Sequence, residues 1–366
     1  MGTKIKEVIQ SLETWAPKRL QESYDNAGLL VGEANADITN VLVTLDCTEE
    51  VVKEAISLKC NLIVAHHPII FKGLKKLNGS NYVERVVMMA IKHDIAIYAI
   101  HTNLDNIATG VNAEFGKILG ISNAKILRPI SNQLWKLNVY VPVQSLQAVE
   151  SALFSAGAGE IGNYDQCSFS LKGQGAFRPG VSSNPTVGEK GIRRVDEEMR
   201  LEVIVEDWKK GAVHQAMLNA HPYEEVAHDW ILLANSHDQI GSGMIGELDK
   251  EWEISSFFEL LKTKLELKFF KYTNQCYSKI KRIAWCGGSG DFLLEDAIAQ
   301  GAQLFISSDF KYHRFFDHEN KIIIADIGHY ESEKCVIHLI SEEITKKFTT
   351  FAVHKTGVNT NPVQYF

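Results

Sequence analysis

The chain has 366 residues, 45% hydrophobic and 23% charged, with a formal net charge of −7, an ordinary globular balance with room for more than one core. The acidic surplus and the lack of any Lys/Arg-rich block remove the long-range attraction that nucleic-acid binding uses, so nucleic acid is not expected as a partner. No run approaches the ~20 apolar residues of a membrane-spanning helix, so no membrane association is expected.

The first predicted element is an amphipathic helix with Ile5, Val8, Ile9 and Leu12 on one face, and no apolar leader stands there to signal export. From Val41 the chain alternates strand and helix. Val41 to Leu45 reads as a strand, Val51, Val52, Ala55 and Ile56 as a helix face, and Leu62 to Ala65 as a buried strand. A helix through Val83, Val86, Val87, Ala90 and Ile91 leads to a strand over Ile95 to Ile100. The texture then changes. Strands near Lys136 to Pro142, Cys167 to Leu171, Met199 to Val205 and Val226 to Leu233, with helices over Leu146 to Ala156 and Ala212 to Ala220, give the order βαββαβ of a ferredoxin-like domain. It interrupts the α/β pattern, so the expected organisation is a discontinuous core over 1–130 and 237–366 with an insert over 131–236. Two loops of the insert, Gly173 to Pro179 and His221 to Glu225, are candidate ligand-holding segments.

After the insert the α/β logic resumes with a strand over Arg282 to Cys286, a glycine turn, a helix through Leu294, Ala297 and Ile298, and strands over Gln303 to Ile306 and Lys321 to Ala325. Laid over the first unit at an offset of 242 residues, Ala55-Ile56 meets Ala297-Ile298, Leu62 meets Leu304, and His66 and His67 fall on Ser308 and Asp309. That favours two related halves facing a shared cleft.

Chemistry-bearing residues gather where these apolar runs end. His66 and His67 close one run before Pro68; His101 closes another, with Asp105 four residues on. His329 and Glu333 follow a third, spaced one turn apart if a helix starts near Tyr330, and Asp309 and His313 follow a fourth. In an open α/β sheet, functional groups collect at the carboxyl ends of strands, so these segments can meet. Imidazole and carboxylate suit a metal site. Glu331 competes with Glu333 on sequence grounds. Six cysteines without a Cys-x-x-Cys read as reduced thiols of a cytoplasmic protein.

Taken together, Asp25 to Gly32, Ala65-His66-His67-Pro68, His101 to Asp105, Ser308 to His313 and Gly328 to Glu333 resemble the NIF-three-like family over essentially the whole length, the insert resembling the PII/CutA-like domain of its longer bacterial members. One departure is Ser308, where family members commonly carry glycine. The resemblance implies a NIF-three-like α/β core and two divalent metal ions held by His66, His67, Asp105, His329 and Glu333. It also implies a homohexamer, and activity like that of the GTP cyclohydrolase 1 type 2 homologs. Zn2+ is the expected metal, with Mn2+ or Fe2+ as alternatives. On that reading the protein is a metal-dependent hydrolase of GTP or a related nucleotide, with His101 or His313 as an acid/base group. No Walker A pattern accompanies it, and Gly287 to Gly290 is only a weak phosphate-loop candidate. The rival reading is a metal storage, delivery or regulatory scaffold without turnover.

Overall fold

The computed structural model describes residues 2–364. The chain divides into two compact units, one formed by Met1–Pro129 with Gln239–Phe366 and the other by Ile130–Asp238.

The first unit holds two sheets. In one, Gly28–Val31 pairs antiparallel with Ala96–Ala99, followed by the parallel strands Leu62–Ala65, Asn40–Thr44 and Ala352–Lys355. Every residue of Leu62–Ala65 and Ala96–Ala99 is buried, which is why both read as unbroken apolar runs. The helices Glu49–Ser57 and Tyr82–Lys92 make the crossovers. The first begins on Thr48, the second on Asn81, whose side chain accepts the Glu84 N–H at 3.0 Å.

The other sheet runs Lys271–Tyr272, Ile323–Asp326, Leu304–Ser308, Lys279–Ser289, Ser236–Glu253, Ser122–Ser131. Its three central strands are parallel. The 242-residue repeat is preserved in their register. Val41 pairs with Leu62 as Ile283 pairs with Leu304, Leu42 with Ile63 as Ala284 with Phe305, and Val43 with Val64 as Trp285 with Ile306. The two α/β halves are thus related in pairing as well as in pattern. One feature departs from a simple two-half division: the last helix, Val336–Lys347, leads to the strand Ala352–Lys355, which joins the first sheet beside Asn40–Thr44.

The second unit carries the strands Leu134–Pro142, Ser168–Phe177, Arg194–Glu206 and His228–Leu233 and the helices Leu146–Ser155 and Lys210–Ala220, alternating as βαββαβ. Its antiparallel sheet is ordered Ser168–Phe177, Arg194–Glu206, Leu134–Pro142, His228–Leu233. Every second residue, Leu137, Val139, Val141 and Leu201, Val203, Val205, turns to the same core as Val149, Leu153, Val213 and Met217 of the helices. Among the described residues no helix is long and apolar enough to cross a membrane.

Candidate metal centre

Three strand exits of the first unit deliver the candidate ligands. His66 follows Leu62–Ala65 and is fully buried, with His67 beside it. His101 follows Ala96–Ala99 and opens the short helix Thr102–Asp105, which ends on Asp105. His329 and Glu333 bound the helix His329–Glu333 after Ile323–Asp326; Gly328, at φ 93°, makes the turn between them. The one-turn spacing expected of this pair is realised, with His329 Nε2 3.0 Å from Glu333 Oε2.

All four imidazoles are held at Nδ1. His66 Nδ1 meets the Ile100 carbonyl at 2.8 Å, His67 Nδ1 meets Asp46 at 2.7 Å, His101 Nδ1 meets Asp25 at 2.8 Å, and His329 Nδ1 meets Asp309 at 2.7 Å. A carbonyl or carboxylate only accepts, so each Nδ1 donates, and in the neutral ring Nε2 keeps its lone pair. Buried metal ligands take this arrangement, the outer acceptor fixing tautomer and ring orientation. The rings cluster, His67 lying 5.1, 5.2 and 5.2 Å between centroids from His66, His101 and His329.

Three sets of donor atoms lie within 4.8 Å of one another: His66, His67 and His101; His67, His329 and Glu333; His66, Asp105 and Glu333. Glu333 Oε2 stands 3.0 Å from both His67 Nε2 and His329 Nε2. Burial works to raise the Glu333 pKa, yet hydrogen bonds from His329 and His67 hold it well below the usual carboxylate range. The same contacts work on the rings. Burial pulls His67 and His329 down, but bonds to Asp46 and Glu333 push His67 up to about 9, and bonds to Asp309 and Glu333 push His329 up to about 11.

At His66 no proton is available to do this. Burial drives its pKa down to about 3, so the ring is neutral, and Nε2 faces Asp105 Oδ1 at 3.5 Å. Neither atom has a hydrogen-bond partner. Burial and the nearby Glu333 push Asp105 well above its ordinary pKa. Two acceptors face each other across a buried gap, a costly arrangement unless a proton or a cation sits there. The residues present therefore fit a metal ion: imidazole Nε2 atoms and carboxylates converging, with lone pairs unmet.

Space for Glu333 is made by glycine. A Cβ on Gly288, at φ 63°, would lie 2.2 Å from Glu333 Oε1. Gly287 to Gly290, read from the sequence as a weak phosphate loop, here clears the buried carboxylate. Ser308, the departure from the family pattern, is buried and donates its hydroxyl to the Gly288 carbonyl at 2.6 Å. Asp309 sits at φ 59° and accepts from both His329 and Ser289, the latter at 2.5 Å.

His66, His67, Asp105, His329 and Glu333 come together, and His101 stands with His66 and His67 as a donor. His313 does not join them. It is exposed in the 3-10 turn Tyr312–His318, with its ring 5.3 Å from Tyr312 and 6.4 Å from Phe316. Glu331, the competitor of Glu333, turns to Asn361, whose amide donates to it at 3.0 Å. The sequence reading missed Asp46, although it too follows a strand-like run, and the same strand-exit signal would have found it.

A cavity of about 410 Å3 adjoins the cluster, lined by Asp46, His67 and His329 together with Phe270, Lys271 and Tyr330.

The model of the Duf34/NIF3 (NGG1p interacting factor 3) family matches residues 3–362. A GTP cyclohydrolase 1 type 2 homolog of Halalkalibacterium halodurans is 37% identical over 365 residues, covering 98% of each chain, and one of Bacillus subtilis is 36% identical over 359 residues, covering 97% of this chain and 94% of that one. The crystal structure of a Bacillus cereus protein related to NIF3 superimposes with a TM-score of 0.87 at 35% identity, covering 100% of both chains. The chain belongs to the Duf34/NIF3 family.

Proposed function

We propose that the protein is a hydrolase that uses two divalent metal ions, Zn2+ or alternatively Mn2+ or Fe2+, and acts on GTP or a related nucleotide. The observation that carries this over a storage site is the cavity of about 410 Å3 against His67 and His329, which leaves room for a substrate beside the donors. Three overlapping donor sets, with His66, His67 and Glu333 each in two of them, offer more donors than one ion would take, and these residues would hold two. With nitrogen and oxygen donors and no cysteine in the sets, the site suits borderline transition metals. The names of the curated relatives support the choice of GTP.

Bound ions supply charge to offset that developing on the attacked group and acidify a coordinated water. The remaining work belongs to the chain. Asp46, Asp25 and Asp309 hold imidazole Nδ1–H groups, so the rings need not reorient during turnover. Phe270 and Tyr330 offer apolar surface to a planar base, and Lys271, paired with Asp326 at 2.8 Å, places a cation at the cavity wall. His101, braced by Asp25, faces the donors and serves as ligand or proton carrier; His313 has no role in this arrangement.

The test is formate release from GTP by protein reconstituted with each metal. Turnover should fall by about two orders of magnitude or more in Asp105→Asn and His66→Ala, each of which removes a donor. Two ions bound per chain without formate from any metal-loaded form would leave the storage or regulatory scaffold as the correct reading.

A further inference from the structure

We propose that the unit formed by residues 130–238 is a separate small-molecule site, binding a planar aromatic ring that carries one anionic group, of the class of a purine mononucleotide. The two segments read as loops from the sequence meet at a single cavity of about 630 Å3, lined by Gly173 to Pro179 and Tyr223 to Glu225, within the ~300–1,000 Å3 range of small-ligand pockets; the first is not a loop up to Phe177 but the end of the strand Ser168–Phe177.

The walls are braced before any ligand arrives. His221 is buried; its Nε2 lies 3.0 Å from the Tyr140 carbonyl, so Nε2 donates, and its Nδ1 accepts the Tyr223 N–H at 3.1 Å. The long loop is tied to the same segment: Thr186 Oγ1 donates to the Pro222 carbonyl at 2.7 Å, and the Asn184 N–H donates to Glu224 at 2.7 Å. Phe177 and Tyr223 face the cavity with ring centroids 6.1 Å apart and a 54° tilt, which suits a third ring against either face.

Its polar groups are partly unmet, which distinguishes the cavity from a gap in packing. Arg178 at the mouth is exposed and has no ion pair among the described residues. Arg200 binds Glu202 at 2.9 Å through one terminal nitrogen, while its Nε is buried and without a partner. The Glu198 carboxylate lies over Gly175, where a Cβ would come within 2.0 Å of Oε2. Burial and the nearby Asp196 raise its pKa, so it is suited to meet the polar edge of a heterocycle. Of the three lining cations, Lys172 is paired with Glu197 and Arg200 with Glu202, so among the described residues Arg178 is the one without an ion pair, standing at a wall that also carries Glu198, Glu224 and Glu225. One free guanidinium matches one phosphate and offers nothing further to a triphosphate.

The experiment is calorimetric titration of the full-length protein with AMP, GMP and GTP. The expected result is saturable binding of a monophosphate at one per chain, with GTP binding no tighter. Arg178→Gln and Tyr223→Ala should each weaken it by about tenfold or more, and Tyr223→Phe, which keeps the ring, should restore it. Binding should persist after the metals are stripped by a chelator, which separates this site from the metal centre. Absence of saturable binding by either monophosphate would overturn the proposal. So would wild-type affinity in both weakened variants, or loss of binding with the metals.

Discussion

At the scale of single residues, the candidate metal centre rests on carboxylates that hold its imidazole rings. Asp46 and Asp309 hold His67 and His329 at Nδ1, and losing such an outer acceptor costs about 10–100-fold in metal affinity. Asp46→Asn and Asp309→Asn should each show a loss of that size in chelator competition while leaving the circular dichroism unchanged. Gly288→Ala should act on the same readout by another route, since its Cβ would strike the Glu333 carboxylate. A variant that binds metal like the wild type would mean that Glu333 is not held as described. The protons supply a further check. His67 and His329 rise from 6.5 to about 9 and about 11 on folding. That stabilises the metal-free protein fully below pH 6.5, and the stabilisation is lost as pH climbs through 9 to 11. Glu333 has the opposite sign, its contribution present above its ordinary pKa of 4.5 and lost on acidification. A bound metal must displace the protons of both histidines, so affinity should rise with pH from 6.5 toward 9. A flat profile over that range would show that the rings are already neutral.

At the scale of elements, the helix Val111–Ile118 meets the strand Lys279–Ser289 through Gly116 and Trp285. Trp285 is fully buried and donates its indole N–H to the Asn112 carbonyl at 2.7 Å. Asn112 Oδ1 accepts the Gly287 N–H at 2.8 Å, so the same contact steadies the turn beside Glu333. Alanine at 116 would gain about 1 kcal/mol of helix propensity, but its Cβ would lie 2.4 Å from Trp285 Cζ2. Because the indole is pinned and has nowhere to move, Gly116→Ala should lose stability by about 1–3 kcal/mol, seen as a lower urea midpoint. A raised midpoint would show that the interface has slack. The strands that build the site were readable because parallel strands buried on both faces appear as apolar runs. Ala352–Lys355 was not, since its half-exposed Ala-Val-His-Lys makes no such run and it is placed only by pairing with residues 40 to 43.

At the scale of the whole molecule, the unit over Ile130–Asp238 has its own core, and the chain leaves and re-enters the first unit on neighbouring strands. A Cβ on Gly241 would touch the Arg128 carbonyl at 2.1 Å, so the two ends lie side by side. Replacing residues 130–238 with a short Gly/Ser linker should therefore leave a soluble core that unfolds cooperatively and binds metal. Loss of the cooperative transition would show that the core depends on the insert. The family resemblance further implies six copies in solution, and light scattering that returned a monomer at micromolar concentration would remove that inference.

The candidate metal-binding residues were legible one segment at a time, because a histidine or carboxylate after a buried strand has left the sheet and cannot be absorbed by its pairing. The βα repeat was legible for a related reason, Leu62 and Leu304 occupying the same place in two similar apolar patterns. Their chemistry required tertiary structure. His67 and Glu333 meet across 266 positions of sequence, and no local pattern encodes a contact of that range. The Asp46 and Asp309 braces, the clearance at Gly288 and the unmet pair His66 and Asp105 depend on which strand exits lie side by side in each sheet. Side-chain type decided which atoms can bind a metal; only packing decided which of them lost water, which carry a proton, and which are left facing one another without one.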